Sequence, residues 1–230
     1  MHWFFDPSFT SDSLGLRAEE VQHFKSLRIR AGEDIAVTDG EGAVYFCKTI
    51  DPAEGRVSVE TTQMRERPKI KIQLIQAIAK GDRDELAIQA SIELGCSSIV
   101  AWQAEHSISK WDGKEQKNLD RWRLIAIAAM KQSQQAHLPE VSGPMATKEL
   151  TPRGHGVLLL PDAKESLSQM DMSAAKYSIV VGPEGGVHDT EIDQLIGAGF
   201  TPYRLGDSVL RTSTAGPAAI AAIKTLRSLW

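Results

Sequence analysis

"VVGPEGGVHDTEI" (residues 180–192) is the stretch on which the fold turns. A short apolar run ends at Gly182, Pro183 and Glu184 stand between glycines, and a helix-like segment follows. Three glycines in five residues imply a backbone that turns sharply or comes close to something. The apolar run is unbroken rather than alternating, as in a strand buried on both faces of a parallel sheet. The stretch therefore reads as strand, glycine loop and helix, with a carboxylate presented in the loop.

The same alternation extends in both directions. Residues 70–78, "SSIVAW", "GVLLLP", "YSIVVGP" and "TPYRLG" are strand candidates. Residues 82–95, 114–135, "TEIDQLIGAG" and 214–229 are helix candidates. Strands that alternate with helices imply an α/β fold with a parallel sheet covered on both faces. Upstream the pattern changes. Residues 34–50 hold two β-rich runs around a glycine-rich turn, a hairpin signal, and residues 55–62 alternate as a half-buried strand does. Residues 18–29 place Val21, Phe24 and Leu27 at helical spacing. A small β-barrel with one short helix is expected there. "TQMRERPKIK" (residues 62–71) reads as the linker, so the expected domains are 1–66 and 67–230.

The chain has 230 residues, enough for a large core without staples. Its two cysteines, Cys47 and Cys96, have no C-x-x-C spacing and read as small core residues in a reducing cytoplasm. No apolar run approaches a membrane span, and the N-terminus lacks the basic region of a signal peptide, so a soluble, cytoplasmic protein is expected. Residues 1–68 hold 8 Lys+Arg against 12 Asp+Glu, and the remainder holds 18 of each. That balance excludes a strongly basic, non-specific nucleic-acid binder.

The six histidines show no metal-ligand spacing, and His188 reads as an exposed residue at a helix start, so no metal is expected. "LGDSVL" (residues 205–210) has no following histidine, and no G-x-S-x-G is present, which removes serine-hydrolase chemistry. No phosphate-binding glycine motif is present. Three loops remain, each at the carboxyl end of a strand candidate: residues 158–163, 180–186 and 204–216. Ligands of open α/β sheets bind there. The three loops make a ligand pocket or are tight turns and helix caps alone; spacing leaves both readings open.

The motifs "VVGPEGG", "AGF" and "VLRTSTA", in that order, resemble the C-terminal signature of the RsmE family of small-subunit ribosomal RNA uridine N3-methyltransferases, of the SPOUT class. The resemblance continues in "KGDRDELAIQASIELG", "KQSQQAHLPEV" and the N-terminal "HFKSLRIRAGEDIAVTDGEGAVYF", and so covers essentially the whole chain. It implies a SPOUT-type parallel sheet with a C-terminal trefoil knot after a small PUA-like RNA-binding barrel. It implies S-adenosylmethionine held by backbone around Leu160, Pro161, Gly182, Pro183, Gly185, Gly186, Leu205, Gly206, Leu210, Thr212 and Ala215.

The target implied is 16S ribosomal RNA, within the assembled small subunit, and the state implied is a homodimer, with residues 214–229 as the candidate interface. Arg211 and Glu184 are the candidate catalytic residues: Arg211 to stabilise charge on the uracil, Glu184 to hold Arg211 or the cofactor's amino groups in place or to accept the N3 proton. Lys25, Arg28 and Arg30 are the candidate phosphate contacts, with Arg65, Arg67 and Lys69 at the linker; Trp102 and Trp111 are candidate stacking residues, with core packing the stronger expectation for Trp102. Ala90, His106, Gln135 and Ser213 depart from the family's pattern without touching the glycines. The competing readings are a SPOUT enzyme with another RNA target and a non-catalytic ribosome-assembly factor.

Overall fold

The computed structural model describes residues 1–229. The chain divides into two compact units, residues 1–68 with 130–138, and residues 69–129 with 139 onward.

In the first unit, β1 (His2–Phe5) pairs in parallel with β2 (Asp34–Thr38), and β2, β3 (Ala43–Asp51) and β4 (Arg56–Met64) follow as antiparallel neighbours. The Asp39 carboxylate accepts the Glu41 and Ala43 N–H groups, which closes the glycine-rich β2–β3 turn. Strand pairing runs in line from β1 to β4, so the expected barrel is, among the described residues, an open four-stranded sheet. Two register shifts between β3 and β4 bend it, and residues 14–16 cover the edge of β4 through a bridge from Gly15 to Arg56. α1 (Ala18–Leu27) seats Phe24 on Phe4 with ring centroids 4.5 Å apart.

Glu20 of α1 is buried, which the helical stripe did not foretell. Its carboxylate accepts Lys131 Nζ at 2.9 and 3.1 Å. The carbonyl of Ala136 accepts the Thr38 hydroxyl and the Gly42 N–H, and Leu138 N–H donates to Gly40. These bonds explain why residues 130–138 group with the first unit although they lie far along the chain.

The second unit is a six-stranded parallel sheet in the order β10-β8-β9-β5-β6-β7. Its strands are β5 (Lys71–Ala77), β6 (Ser98–Trp102), β7 (Glu140–Met145), β8 (His155–Leu159), β9 (Lys176–Val181) and β10 (Phe200–Tyr203). Its helices are α2 (Arg83–Glu93), α3 (Glu115–Gln132), whose last residues belong to the first unit, α4 (Asp189–Gly197) and α5 (Thr212–Leu226). α2 and α5 pack on each other and on β5, and α5 also packs on β9, whereas α4 packs beside β10. Gly216 lets α5 come close: a Cβ there would lie 2.9 Å from Leu74 Cδ1. From β5 the chain first builds outward through β6 and β7, then returns to place β9 and β8 on the other side. The β5–β9 boundary is therefore the topological switch point, where such sheets bind ligands.

β7, which is not among the strand candidates, contains Gly143 and Pro144. It pairs with β6 alone, and an edge strand tolerates proline.

Gly156 of β8 faces the backbone of the β10 approach. A Cβ on it would lie 2.8 Å from the Gly199 carbonyl oxygen and 3.0 Å from Phe200 Cα. Gly156→Ala is expected to destabilise the protein by about 1–3 kcal/mol through overpacking. A lower urea midpoint at unchanged slope is the expected result.

Candidate active site

The loop after β9 is built by its glycines. Gly186 N–H donates to the Pro183 carbonyl, and Gly186 has φ +78°. A Cβ on Gly182 would lie 2.6 Å from Val187 Cγ2, so only glycine lets the loop fold back on itself there. The chain then enters α4, whose first turn is capped by His188 Nδ1 accepting the Thr190 N–H. His188 stands at the helix start as expected, but it is half-buried and caps the helix.

The three loops read from the sequence converge. With the start of α5 they enclose a cleft of about 370 Å³ at the carboxyl ends of β8, β9 and β10. Leu160 and Pro161 line it after β8, and Gly182, Pro183, Glu184 and Gly186 after β9. Leu205, Gly206 and Leu210 line it after β10, and Arg211, Thr212 and Ala215 at the start of α5. Gly185 lies outside the lining and faces the 104–107 segment instead, where a Cβ would be 3.2 Å from His106. Arg83, Val187, Tyr203, Ser208 and Val209 line the cleft without having been singled out in the sequence.

A buried hydrogen-bond chain holds the cleft together. Gln76 Nε2, fully buried in β5, donates to Thr212 Oγ1 at 2.8 Å, and that hydroxyl donates to the Gly182 carbonyl at 2.8 Å. The Thr212 hydroxyl is therefore spent within the protein. Gln76 was legible only as one polar residue in an apolar strand.

Glu184 does not hold Arg211. Its Oε1 accepts Lys80 N–H at 3.1 Å and Arg83 Nη1 at 3.1 Å, and its Oε2 is buried without a partner. The reason is topological: β5 neighbours β9, and the chain leaving β5 supplies Lys80 and Arg83 beside the 182–187 loop. Arg211 is exposed at the N-cap of α5 and makes no ion pair among the described residues.

Other sequence-derived candidates are dispersed. Lys25, Arg28 and Arg30 are exposed on the first unit and make no ion pair among the described residues. Arg65 is engaged by the Gln134 carbonyl and the Trp3 ring, and Arg67 by Glu41. Trp111 is buried edge-on against Trp122, so it offers no face to a base. Trp102 is fully buried and donates to Thr147. Burial pushes the Cys47 and Cys96 thiols up to about 12, which makes poor nucleophiles of them. Among the described residues no group of three or more His, Cys, Asp or Glu could hold a metal ion, and no helix is long and apolar enough to cross a membrane.

A parallel sheet with a close-backbone cleft at the carboxyl ends of its strands is the frame of a small-ligand site. Residues 65–224 match the family model of the RNA methyltransferase domain, and residues 16–62 that of the RNA methyltransferase PUA domain. The chain is thus a member of the RNA methyltransferase family, with a PUA-like domain ahead of it. Within that class it belongs to the ribosomal RNA small subunit methyltransferase E family.

It is 36% identical to the Mycobacterium tuberculosis protein of that name over 88% of this chain and 82% of the relative. It is 31% identical to the Aquifex aeolicus protein over 94% and 95%. Among solved structures, the Neisseria gonorrhoeae ribosomal RNA small subunit methyltransferase E bound to S-adenosyl methionine superposes with a TM-score of 0.88, at 30% identity over 98% of both chains. A Legionella pneumophila methyltransferase in complex with the same cofactor gives 0.87, at 27% identity over 97% and 96%.

Asp84 lies beside this site in α2, buried, with its oxygens accepting the Ala79 and Glu85 N–H groups. Burial pushes its carboxyl up to about 6, against the opposing pull of those two bonds. A carboxyl raised on folding favours the folded state below its unfolded value, and that contribution is lost as pH rises toward 6. Asp84→Asn removes the ionisation. The stability of the variant relative to the natural chain is expected to rise between pH 4 and pH 7, by at most about 3 kcal/mol. Urea titrations of both proteins across that range measure it; a constant difference would contradict the assignment.

Proposed function

We propose that this protein transfers a methyl group from S-adenosylmethionine to N3 of a uridine in 16S ribosomal RNA. The observation that carries the reading is the pairing of cations on the cleft: Arg83 is neutralised by Glu184, whereas Arg211 has no carboxylate among the described residues.

The cleft residues fit that cofactor. Gly186 and Gly206 line it, and a Cβ on either would meet no protein atom within 4 Å, so each leaves room for a ligand against its backbone. Leu160, Leu205, Leu210 and Val187 supply apolar walls, and Pro161, Pro183, Thr212 and Ala215 fix their shape. Gly185 acts from behind, as the close contact with the 104–107 segment. No phosphate has to be neutralised, which suits a cleft of neutral backbone groups. The cofactor, when bound, supplies a methyl group activated on a sulfonium.

Uracil N3 faces its partner in a base pair, so the base must be unpaired or turned out to be reached. N3 carries a proton, and its loss leaves negative charge spread over O2 and O4. Arg211, unpaired at the mouth of the cleft, is the group that stabilises that charge. Glu184 positions the loop rather than taking the proton: its Oε1 already holds two donors and its Oε2 is buried. Lys25, Arg28 and Arg30 contact RNA phosphates from the first unit.

The trefoil knot belongs to the same reading. β10 is an edge strand, yet the helix after it begins at the centre of the sheet. On the way, Arg204 pairs alongside the 163–167 segment: its N–H donates to Glu165, its carbonyl accepts Leu167 N–H, and its guanidinium bonds the Ala163 and Lys164 carbonyls. This return from the edge strand to the centre of the sheet, past the 163–167 segment, is what supports the knot reading. A homodimer, a cytoplasmic location and an assembled small subunit as substrate complete the proposal. The near-neutral charge favours the assembled particle, since little of the grip is left to diffuse electrostatics.

Arg211→Ala is expected to keep S-adenosylmethionine affinity within about threefold and to lower turnover by about 10²–10³-fold, the cost of losing one charge-stabilising donor. Calorimetry and a methylation assay on small subunits separate the two effects. N3-methylation blocks the pairing edge, so a reverse-transcription stop in 16S ribosomal RNA should vanish in a deletion strain; persistence of every stop refutes the target.

A further inference from the structure

We propose that Arg83 is a positioning residue of this site, acting through Glu184 to fasten the 182–187 loop to the end of β5; the inference rests on the methyltransferase reading above. The sequence singles out Glu184 by its place among glycines, but nothing in its spacing points to a partner 101 residues upstream.

The geometry is that of a clamp. β5 ends at Ala77, the chain passes Gly81 at φ +73°, and α2 begins at Arg83. That short connection brings two donors to one oxygen, the Lys80 N–H and Arg83 Nη1, each 3.1 Å from Glu184 Oε1. The Glu184 side chain is only 16% exposed, and its Oε2 is buried without a partner. A half-exposed arginine paired with an exposed carboxylate would contribute little. Here the carboxylate is largely withdrawn from water, so its charge depends on the donors that reach it.

The clamp spans the switch point, because Lys80 and Arg83 follow β5 and Glu184 follows β9. Glu184 itself lines the cleft, as do Pro183 before it and Gly186 two residues on. Release of Glu184 therefore frees the wall against which the cofactor lies. Asp84, the next residue, accepts the Ala79 N–H and stiffens the same connection from the opposite side. Arg211 takes no part in this pair, so the clamp and the charge-stabilising group are separable.

The test uses the full chain with Arg83→Gln, Glu184→Gln, the double variant and Arg83→Lys. Calorimetry with S-adenosylmethionine is the first readout, and the second is the KM for cofactor against kcat in the small-subunit assay. Each single glutamine variant is expected to weaken cofactor binding about tenfold, and the double variant no more than either, as for two members of one interaction. Arg83→Lys, which restores the charge, is expected to stay within about threefold of the natural chain. At saturating cofactor kcat should fall less than KM rises. Natural-level affinity in Arg83→Gln, losses that multiply in the double variant, or a lysine variant as weak as the glutamine variant would each overturn the clamp. No binding by the natural chain would instead overturn the functional reading itself.

Discussion

The site depends on one buried hydrogen-bond chain, from Gln76 through the Thr212 hydroxyl to the Gly182 carbonyl. Gln76 sits at the centre of a sheet that covers it completely, and a buried amide without partners is costly. Gln76 Nε2 donates to the Ala77 carbonyl and the Thr212 hydroxyl while its Oε1 is buried without a partner, and Thr212 is within reach only if α5 begins above the middle of the sheet. The chain must then return from β10 at the edge, and residues 204–211 are carried across the carboxyl ends of the inner strands. That path closes the cleft. Gly216 makes it sterically possible one turn later, because α5 can lie directly on Leu74.

Charge on the cleft is allotted with similar economy. The second unit and its linker hold equal numbers of acidic and basic residues, and several of them are matched locally, as Arg83 with Glu184, Arg121 with Glu85 and Arg153 with Glu140. The effect is to leave Arg211 as a distinct cation at a cleft of otherwise apolar walls and backbone. Glu20 with Lys131, an ion pair with both side chains largely removed from solvent, lies in the first unit and serves folding.

Much of the architecture was legible. Five of the six parallel strands and all four helices of the second unit stand where periodicity and glycine punctuation place them, because a doubly covered strand must be apolar throughout and a helix must not. The misses share a cause. β7 contains Gly143 and Pro144, which local rules read as a turn, and only its position at the edge of the sheet makes them acceptable. Residues 130–138 look like the tail of a long helix, but Glu20 and the β2–β3 turn claim them. Arg65 and Arg67 are exposed but already bonded within the chain, to the Gln134 carbonyl and to Glu41, and Trp111 is buried against Trp122.

The sequence by itself determined the alternation of strands and helices, the glycine loop after β9, the three loops that share one end of the sheet, and the resemblance that names the family. These are local or ordered features, carried by residue type and spacing. Only the tertiary structure decided which charges meet. It gave Glu184 to Arg83 rather than to Arg211, spent the Thr212 hydroxyl on Gly182, and turned Gly185 away from the cleft. The physical reason is strand order: β5 and β9 are separated by about a hundred residues but are neighbours in the sheet, and a hydrogen bond or ion pair forms only between groups that the fold sets about 3 Å apart.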